Sequence, residues 1–424
     1  MSGPQVIVVG AGPVGLTAAL TLANAGVTVV VHEAEGGLSA HSRACTFHPA
    51  TLDLLAELGV AGSLIAAGMR VDALQWRTRD GDLLAQMNMG ALAGTPAHPH
   101  RLTAHPFRLH VEQRTLTALL LRRLGRHPHA QVRFGAKVEA ISDTGPGVRV
   151  RTGRTWESAR YVIAADGAHS TIRAALGLAF PVVPYPTRAV RIMTDTPLTD
   201  VLPGLAPLTY VRDKVSRSLL QLPDHWRIVV RVPAETFLTR KAMIALARRA
   251  LPPHRRLHVL HLHTYRLARA VLPCFRRGRV LFAGDAAHLA STAGGLNMNA
   301  GLHDAAEAGQ VLAAVLAGAA STAALEGWAA RRRTITLDKI IPRSEARVAG
   351  VQDGRPHHLQ AAVTRLRAIA DDPAATRAYL AEASLLDTLP LNGTSLNGTS
   401  LNGTPLNGSP PHSTAHPIPH PIGT

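Results

Sequence analysis

Val6-Ile7-Val8-Val9-Gly10-Ala11-Gly12-Pro13-Val14-Gly15 decides the architecture of this chain. Four β-branched residues make a short buried strand, and glycines at 10, 12 and 15 follow at the spacing of a dinucleotide fingerprint. The first allows a tight turn, the second lets backbone approach a pyrophosphate, and the third lets helix and strand pack closely. The pyrophosphate then lies at a helix N-terminus, where unpaired N–H groups and the helix dipole favour negative charge. Outward from this stretch, Gly15 to Ala25 reads as a helix and Val27 to His32 as a second, parallel strand. Glu33, at the end of that strand and about 20 residues downstream, is placed to accept hydrogen bonds from ribose hydroxyls. The competing reading, a chance glycine-rich turn, does not account for the strand, helix and terminal acid together.

The stretch from Val6 to Val31 has no charged residue and imitates a membrane span or a signal peptide. No basic region precedes it, and Gly10, Gly12, Pro13, Gly15 and Gly26 interrupt it, so no transmembrane segment is expected. With 424 residues and 46% hydrophobic content the chain can bury a large core in two or three structural units. Its two cysteines, Cys45 and Cys274, stand far apart in no metal-ligand or disulfide spacing, which fits a reducing cytoplasm and no metal site. The net charge of +17 raises nucleic acid as a partner. Short arginine runs such as Arg122-Arg123 and Arg331 to Arg333 are scattered, however, and lack interleaved aromatics, so no nucleic-acid partner is expected.

Further along, Thr51 to Leu58 and Glu112 to Leu124 read as amphipathic helices, the second with Leu116, Leu119, Leu120 and Leu124 on one face. Tyr161 to Ala165 reads as a strand. Between Pro181 and Tyr265, short alternating segments (Ala189 to Met193, Thr209 to Arg212, Ser218 to Leu222, Arg227 to Val232) predict an antiparallel sheet inserted into the nucleotide-binding fold. Val280 to Ala283 returns to that fold as a buried strand, and a helix follows from about Ala300 to Leu316. Four consecutive five-residue units (LNGTS, LNGTS, LNGTP, LNGSP) and a Pro/His-rich end predict a disordered tail over 388–424.

Two later motifs separate the possible dinucleotides. Ala164-Ala165-Asp166-Gly167-Ala168-His169-Ser170-Thr171-Ile172-Arg173 and Gly278-Arg279-Val280-Leu281-Phe282-Ala283-Gly284-Asp285-Ala286-Ala287-His288 each follow or contain a strand. With the first fingerprint they resemble the three signature motifs of class A flavoprotein monooxygenases, the 4-hydroxybenzoate hydroxylase-like family, over the chain from its start to about Leu386. The resemblance implies an α/β fold: a Rossmann-like FAD-binding domain from 1–180 and 266–387, an inserted antiparallel-sheet substrate domain at 181–265, and a C-terminal helical region. It implies FAD as cofactor, NADPH or NADH as co-substrate, and hydroxylation of an aromatic or polyketide-like small molecule with O2, as in antibiotic biosynthesis. The stretches Thr46 to Leu52 and Phe107 to Leu109 look closest to members acting on phenylpropionate-like and secondary-metabolite substrates.

Site roles follow from the same resemblance. The cofactor-binding set is Gly10, Gly12, Gly15, Glu33, Arg43, Gln113, Asp166, Gly284, Asp285, Met298 and Asn299. Glu33 takes the adenosine ribose, Asp285 the ribityl chain, Arg43 the pyrophosphate and Gln113 the flavin side chain. Asp166 and Arg173 contact FAD and support NAD(P)H use, or else form a structural turn and salt bridge. The backbone N–H groups of Met298 and Asn299 point at the N1/O2 edge of the flavin, where reduction places negative charge. Thr292 stands where the family has a proline and Asn297 where it has a glycine.

No residue is assigned as catalytic acid or base. Tyr210 resembles a phenol-contacting tyrosine of some members, against the plainer reading of a half-buried sheet tyrosine. His48 and His288 are open to the same two readings. No Ser/Arg pair supports a benzoate substrate. A cytoplasmic monomer or homodimer is expected. Two other functions stay open: an FAD-dependent reductase or dehydrogenase without oxygen insertion, and a basic nucleic-acid-binding protein with structural flavin.

Overall fold

The computed structural model describes residues 3–39, 44–94, 100–212, 217–249, 251–252, 257–352 and 356–389. The tail expected over 388–424 lies outside the described residues from 390 onward. A six-stranded sheet has the order Arg276–Arg277, Val280–Phe282, Tyr161–Ala164, Val6–Val9, Val29–His32 and Ala130–Arg133. All neighbours are parallel except the Arg276–Arg277 edge, and the register sets Val6 beside both Tyr161 and Val29. Every residue of the Val6–Val9 strand is buried, as expected where helices cover both faces of a parallel sheet. The Pro13–Asn24 helix begins with proline at its start, after Gly12 as N-cap. That position costs nothing, because the first helical N–H has no intrahelical partner. Its inner face packs on the Leu296–Leu316 helix.

The second sheet has eight strands in the order His288–Leu289, Val259–Val271, Val183–Thr194, Trp226–Pro233, Arg217–Gln221, Leu208–Val211, Ala73–Arg77 and Leu83–Asn88. It is wider than the stretch 181–265. Two strands come from before it, the Val259–Val271 strand runs past Tyr265, and the Leu208–Val211 strand pairs with Ala73–Arg77 in parallel. The early pair escapes the alternation rule because Gln75 is buried in the middle of its strand. Its amide is fully used: Nε2 donates to Gln86 and to the Gly204 carbonyl, while Oε1 accepts from Arg77, Thr209 and Ala206. A buried polar group with all its partners carries little penalty.

Side-chain alternation splits this sheet into two chemically different faces. Val190, Ile192, Leu219, Ile228, Val230 and Val232 pack on one side with Leu198, Leu202, Met243 and Leu246. On the other, Trp76, Tyr210, Ser218, Arg191, Val229 and Arg231 face a large cavity. The Pro373–Ala383 helix closes one end, with Leu380 packed among Leu74, Trp76 and Met87. It starts on Asp372, whose carboxylate accepts from the Ala374 and Ala375 N–H groups in the manner of an N-cap. A small three-stranded sheet, Val138–Asp143, Val148–Thr152 and Thr155–Ala159, completes the described strands beside a short Thr46–Phe47, Arg108–His110, Met69–Val71 ribbon. Among the described residues no helix is long and apolar enough to cross a membrane, and no cluster of His, Cys, Asp and Glu could hold a metal ion.

Candidate active site

Three distant stretches meet beside the ends of the parallel strands. Gly10 has φ of +102°, and a Cβ there would fall 2.5 Å from the Ala165 carbonyl oxygen, so the first turn rests on the loop after Tyr161–Ala164. A Cβ on Gly284 would fall 2.8 Å from Val14 Cγ2, and one on Gly301 2.9 Å from Gly284 Cα. The third motif is therefore wedged between the first motif and the long Leu296–Leu316 helix. Gly15 is walled off by the Gly10 carbonyl, whereas Gly12 faces open space within 4 Å. Gly12, Ala165, Gly167, Gly284, Asp285, Asn297 and Met298 line one cavity of about 1110 Å³. Gly12, Pro13, Ser39 and Gln113 continue it into a smaller recess of about 100 Å³ lined by Ala11, Glu33 and Thr117.

Each acid is held by named donors. Glu33 accepts from the Ala11 N–H at 2.6 Å with Oε2 and from the Glu35 N–H with Oε1, which fixes it against the first turn. Gln113 accepts from the Ala44 N–H at 3.3 Å; Arg43 lies outside the described residues. Asp166 turns back on its own loop. Its Oδ2 accepts from the Ile172 N–H at 3.1 Å, and burial lifts its carboxyl above the usual range against hydrogen bonds from Ser170 and Ile172. Arg173 donates to the Ala168 carbonyl at 2.6 Å and the Ala286 carbonyl at 3.0 Å, under the Phe180 ring. Asp166 and Arg173 form no ion pair with each other. Arg173 instead ties the second motif to the third.

Asp285 is reached by Asn297, whose Nδ2 donates to its Oδ1 at 2.8 Å. The carboxylate can only accept, so the Asn297 amide is turned with its oxygen toward His288 Nδ1, 3.0 Å away. His288 Nε2 lies 2.7 Å from Asp304 Oδ2, and Arg332 Nε lies 2.7 Å from Asp304 Oδ1. Both imidazole nitrogens thus face acceptors, and His288 is an imidazolium. Burial pulls its pKa down, but Asp304 and Asn297 more than offset this and hold it above the ordinary value. Asp304 Oδ2 also accepts from the Gly284 N–H at 3.3 Å, so the buried chain runs back to the third motif.

The Asn299 side chain ties the start of the long helix to the Thr46–His48 segment. It is fully buried, donates to the Thr46 and Gly295 carbonyls, and accepts from the His48 N–H. It does not line the cavity. Gly295 is the N-cap of the Leu296–Leu316 helix, so the Asn299 N–H is the first to have an intrahelical carbonyl, and Leu296, Asn297 and Met298 carry the open first-turn donors. His48 is a strut: its Nε2 donates to the Gly294 carbonyl at 2.9 Å, and burial keeps it neutral, well below its ordinary value.

Tyr210 stacks on Trp76 at 5.6 Å between ring centroids, and Tyr379 meets the same indole edge-on at 6.2 Å. Arg108, fully buried and lowered to about 10 by that burial, lies near the Tyr210 phenol and donates to the Ala383 carbonyl at 2.7 Å. Arginines recur along the cavity wall, whereas Asp285 is the one carboxylate among its described lining residues. Sequence reasoning missed these arginines, Trp76 and the Asn297–His288–Asp304–Arg332 chain. The only available signal was the departure at Asn297.

Comparison with known proteins places this geometry in a class. Residues 4–339 match the family described as FAD binding domain. The chain belongs to that family of class A FAD-dependent aromatic hydroxylases and is an FAD-dependent monooxygenase using NAD(P)H. Para-nitrophenol 4-monooxygenase of Pseudomonas sp. (strain WBC-3) is 30% identical over 400 residues, 92% of this chain and 96% of that one. The 6-methylpretetramide 4-monooxygenase of Streptomyces rimosus is 31% identical over 349 residues, 78% of this chain and 59% of that one. Among solved structures, p-nitrophenol 4-monooxygenase PnpA from Pseudomonas putida matches with a TM-score of 0.83 at 28% identity, covering 91% of this chain and 98% of that chain.

Proposed function

We propose that the cavity holds FAD from Glu33 to Met298 and hydroxylates a phenolic or polyketide-like aromatic compound lodged under the eight-stranded sheet. The observation that carries this is the convergence of the Gly10 turn, the Ala165–Ala168 loop and the Gly284–Asp285 loop on one continuous groove. The residues fit the cofactor. Gly12 leaves room for a pyrophosphate at a helix N-terminus, Glu33 presents a fixed carboxylate at the recessed end, and Asp285 does so at the other. FAD, when bound, supplies the exchange of two electrons with NAD(P)H and the activation of O2. One oxygen atom then goes to a ring carbon and the other leaves as water.

The chain's own contribution is positioning and exclusion of water. The His288 imidazolium orients Asn297, which orients Asp285. The first-turn N–H groups of Asn297 and Met298 favour negative charge at the helix start. Trp76, Tyr210 and Tyr379 offer an aromatic wall for a ring. Arg173 and Asp166 act here as braces between motifs. The sheet, its early strands included, forms the substrate domain, and the parallel sheet with its helices the FAD domain. The reading includes a cytoplasmic protein without a nucleic-acid partner; several arginines that raise the net charge are turned into the cavity rather than onto a surface patch.

The relatives named above act on nitrophenol and on a pretetramide, and those two classes are the first to test. Purified protein should be yellow and should oxidise NAD(P)H faster with a productive phenol, with one atom of 18O2 entering the product. Substrate-stimulated turnover that continues without O2 would favour a dehydrogenase instead.

A further inference from the structure

The small sheet of Val138–Asp143, Val148–Thr152 and Thr155–Ala159 has two unlike faces. Val138, Val148, Val150 and Ala159 are buried beneath it. Alternation sends Arg149, Arg151 and Trp156 to the other side. There the register sets Arg149 beside Ser142 and Ser158, and Arg151 beside Ala140 and Trp156. Trp156 is 42% exposed, with the Arg149 guanidinium 5.1 Å from its ring centroid. Arg154 and Arg160, both exposed, flank the Trp156 strand at its two ends. The exposure is particular to this tryptophan: the other three of the chain, Trp76, Trp226 and Trp328, are at most 4% exposed.

The acids of these strands are already engaged. Glu139 is taken by Arg151 at 2.9 Å, Glu157 by His32 at 2.8 Å and Arg133 at 2.9 Å, and Asp143 accepts from the Gly145 N–H. Arg149, Arg154 and Arg160 are left without an acid partner among the described residues. An exposed indole set among such cations suits anionic lipid headgroups. Each guanidinium gains a phosphate counter-charge, and the indole, apolar in body with one N–H, settles where headgroups meet acyl chains. A protein partner fits less well, because a stable protein interface needs an apolar centre and this face offers one apolar side chain. A single-stranded nucleic acid calls for several stacking aromatics, and here there is one. We propose that this face seats the protein on an anionic membrane surface, with Trp156 as the interfacial anchor and Arg149, Arg154 and Arg160 on lipid phosphates. The contact is peripheral, a protein lying on the bilayer rather than through it. Phenolic and polyketide-like aromatics collect in the same interfacial layer, so the seating brings a hydroxylase to its substrates, although the docking does not depend on that reading.

The FAD-loaded full chain is floated with vesicles of phosphatidylcholine alone and with vesicles containing about a quarter phosphatidylglycerol. It should rise with the anionic vesicles, stay behind with the neutral ones, and be released by about 0.5 M salt. Arg149→Gln, Arg154→Gln and Arg160→Gln should each weaken partitioning about fivefold while flavin content and Tm stay unchanged. Phosphatidylcholine brominated on its acyl chains, added to the anionic vesicles, should quench the tryptophan fluorescence of the wild type. Trp156→Phe, which keeps an aromatic anchor, should still float but show no such quenching. Equal flotation with neutral vesicles overturns the proposal. So does flotation that survives the triple arginine variant, or quenching that is the same in Trp156→Phe. Absence of flotation also overturns it, and duplex DNA binding lost in the triple variant would then make the face a nucleic-acid surface.

Discussion

Asp304→Asn tests the buried chain that holds Asp285. Asp304 is fully buried, with Arg332 on one oxygen and His288 on the other. Burial pushes its carboxyl up, but Arg332 and then His288 outweigh this and bring it from 3.8 down to about 2. That depression is equivalent to about 2 kcal/mol of folding stability. The amide would also strand Arg332, whose next carboxylate, Glu307, stands 3.6 Å away. Breaking a buried pair costs roughly 3–5 kcal/mol, and with Glu307 as partial replacement about 3 kcal/mol is expected. At roughly 2.1 cal/mol/K per residue over ~390 residues, this lowers Tm by about 4 °C.

The sign with pH is specific. The folded pKa of Asp304 lies below the unfolded one, so its contribution is complete above about pH 4 and fades as pH falls through about 2. His288 is raised, so its contribution is complete below its ordinary 6.5 and is lost as pH rises through the folded value. The amide variant should lose both dependences, and with an uncharged His288 it should release flavin more readily. Thermal unfolding of the holoenzyme, followed by flavin fluorescence from about pH 2 to about pH 9, reads both dependences. A variant within about 1 °C of wild type across that range, with the same flavin occupancy, would refute the reasoning.

Four further outcomes are expected. Asp285→Ala should purify folded but with most of its flavin lost, seen in the ratio of visible to protein absorbance; full occupancy would count against the groove. Gly10→Ala sets a methyl against the Ala165 carbonyl in a backbone conformation that disfavours side chains, and should cost about 3 kcal/mol, read as a lower Tm and flavin-free protein. Trp76→Ala should raise substrate KM about tenfold by removing the aromatic wall, whereas Tyr210→Phe, which keeps the stack, should stay within about threefold in kcat; the reverse pattern would restore Tyr210 as a proton relay. His110 and His303 are both buried and lowered to about 3 by that burial. Their folded pKa values lie below the unfolded one, so stability is whole above about pH 6.5 and falls by up to about 1.4 kcal/mol per pH unit for each as pH drops toward 3. His110→Gln should flatten that slope in urea titrations.

The flavin floor was legible because its demands fall on residue types with few substitutes. Gly10, Gly12 and Gly15 announce a turn and a close approach, and Glu33 and Asp285 end buried strands where an acid needs a reason. The roof was half legible. Alternation revealed the strands from Val183 to Pro233, but the Ala73–Arg77 strand is masked by Gln75, whose polarity is satisfied only by partners distant in sequence. Which first-turn N–H groups of the Leu296–Leu316 helix stand open follows from Gly295 as its N-cap, a matter of one turn that the motif alone does not fix. Asn297 and Thr292 looked like lapses from a pattern. In the fold each has found a partner, His288 and Arg231, that only three-dimensional proximity supplies.

The wedge of Val14, Gly284 and Gly301 leaves no space for even one additional methyl group. Three segments locked at that spacing cannot drift separately, so sequence change there is all or nothing. New substrate preferences in this lineage must therefore arise overhead, among side chains such as Trp76, Val229 and Arg231, where exchange costs the nucleotide grip nothing.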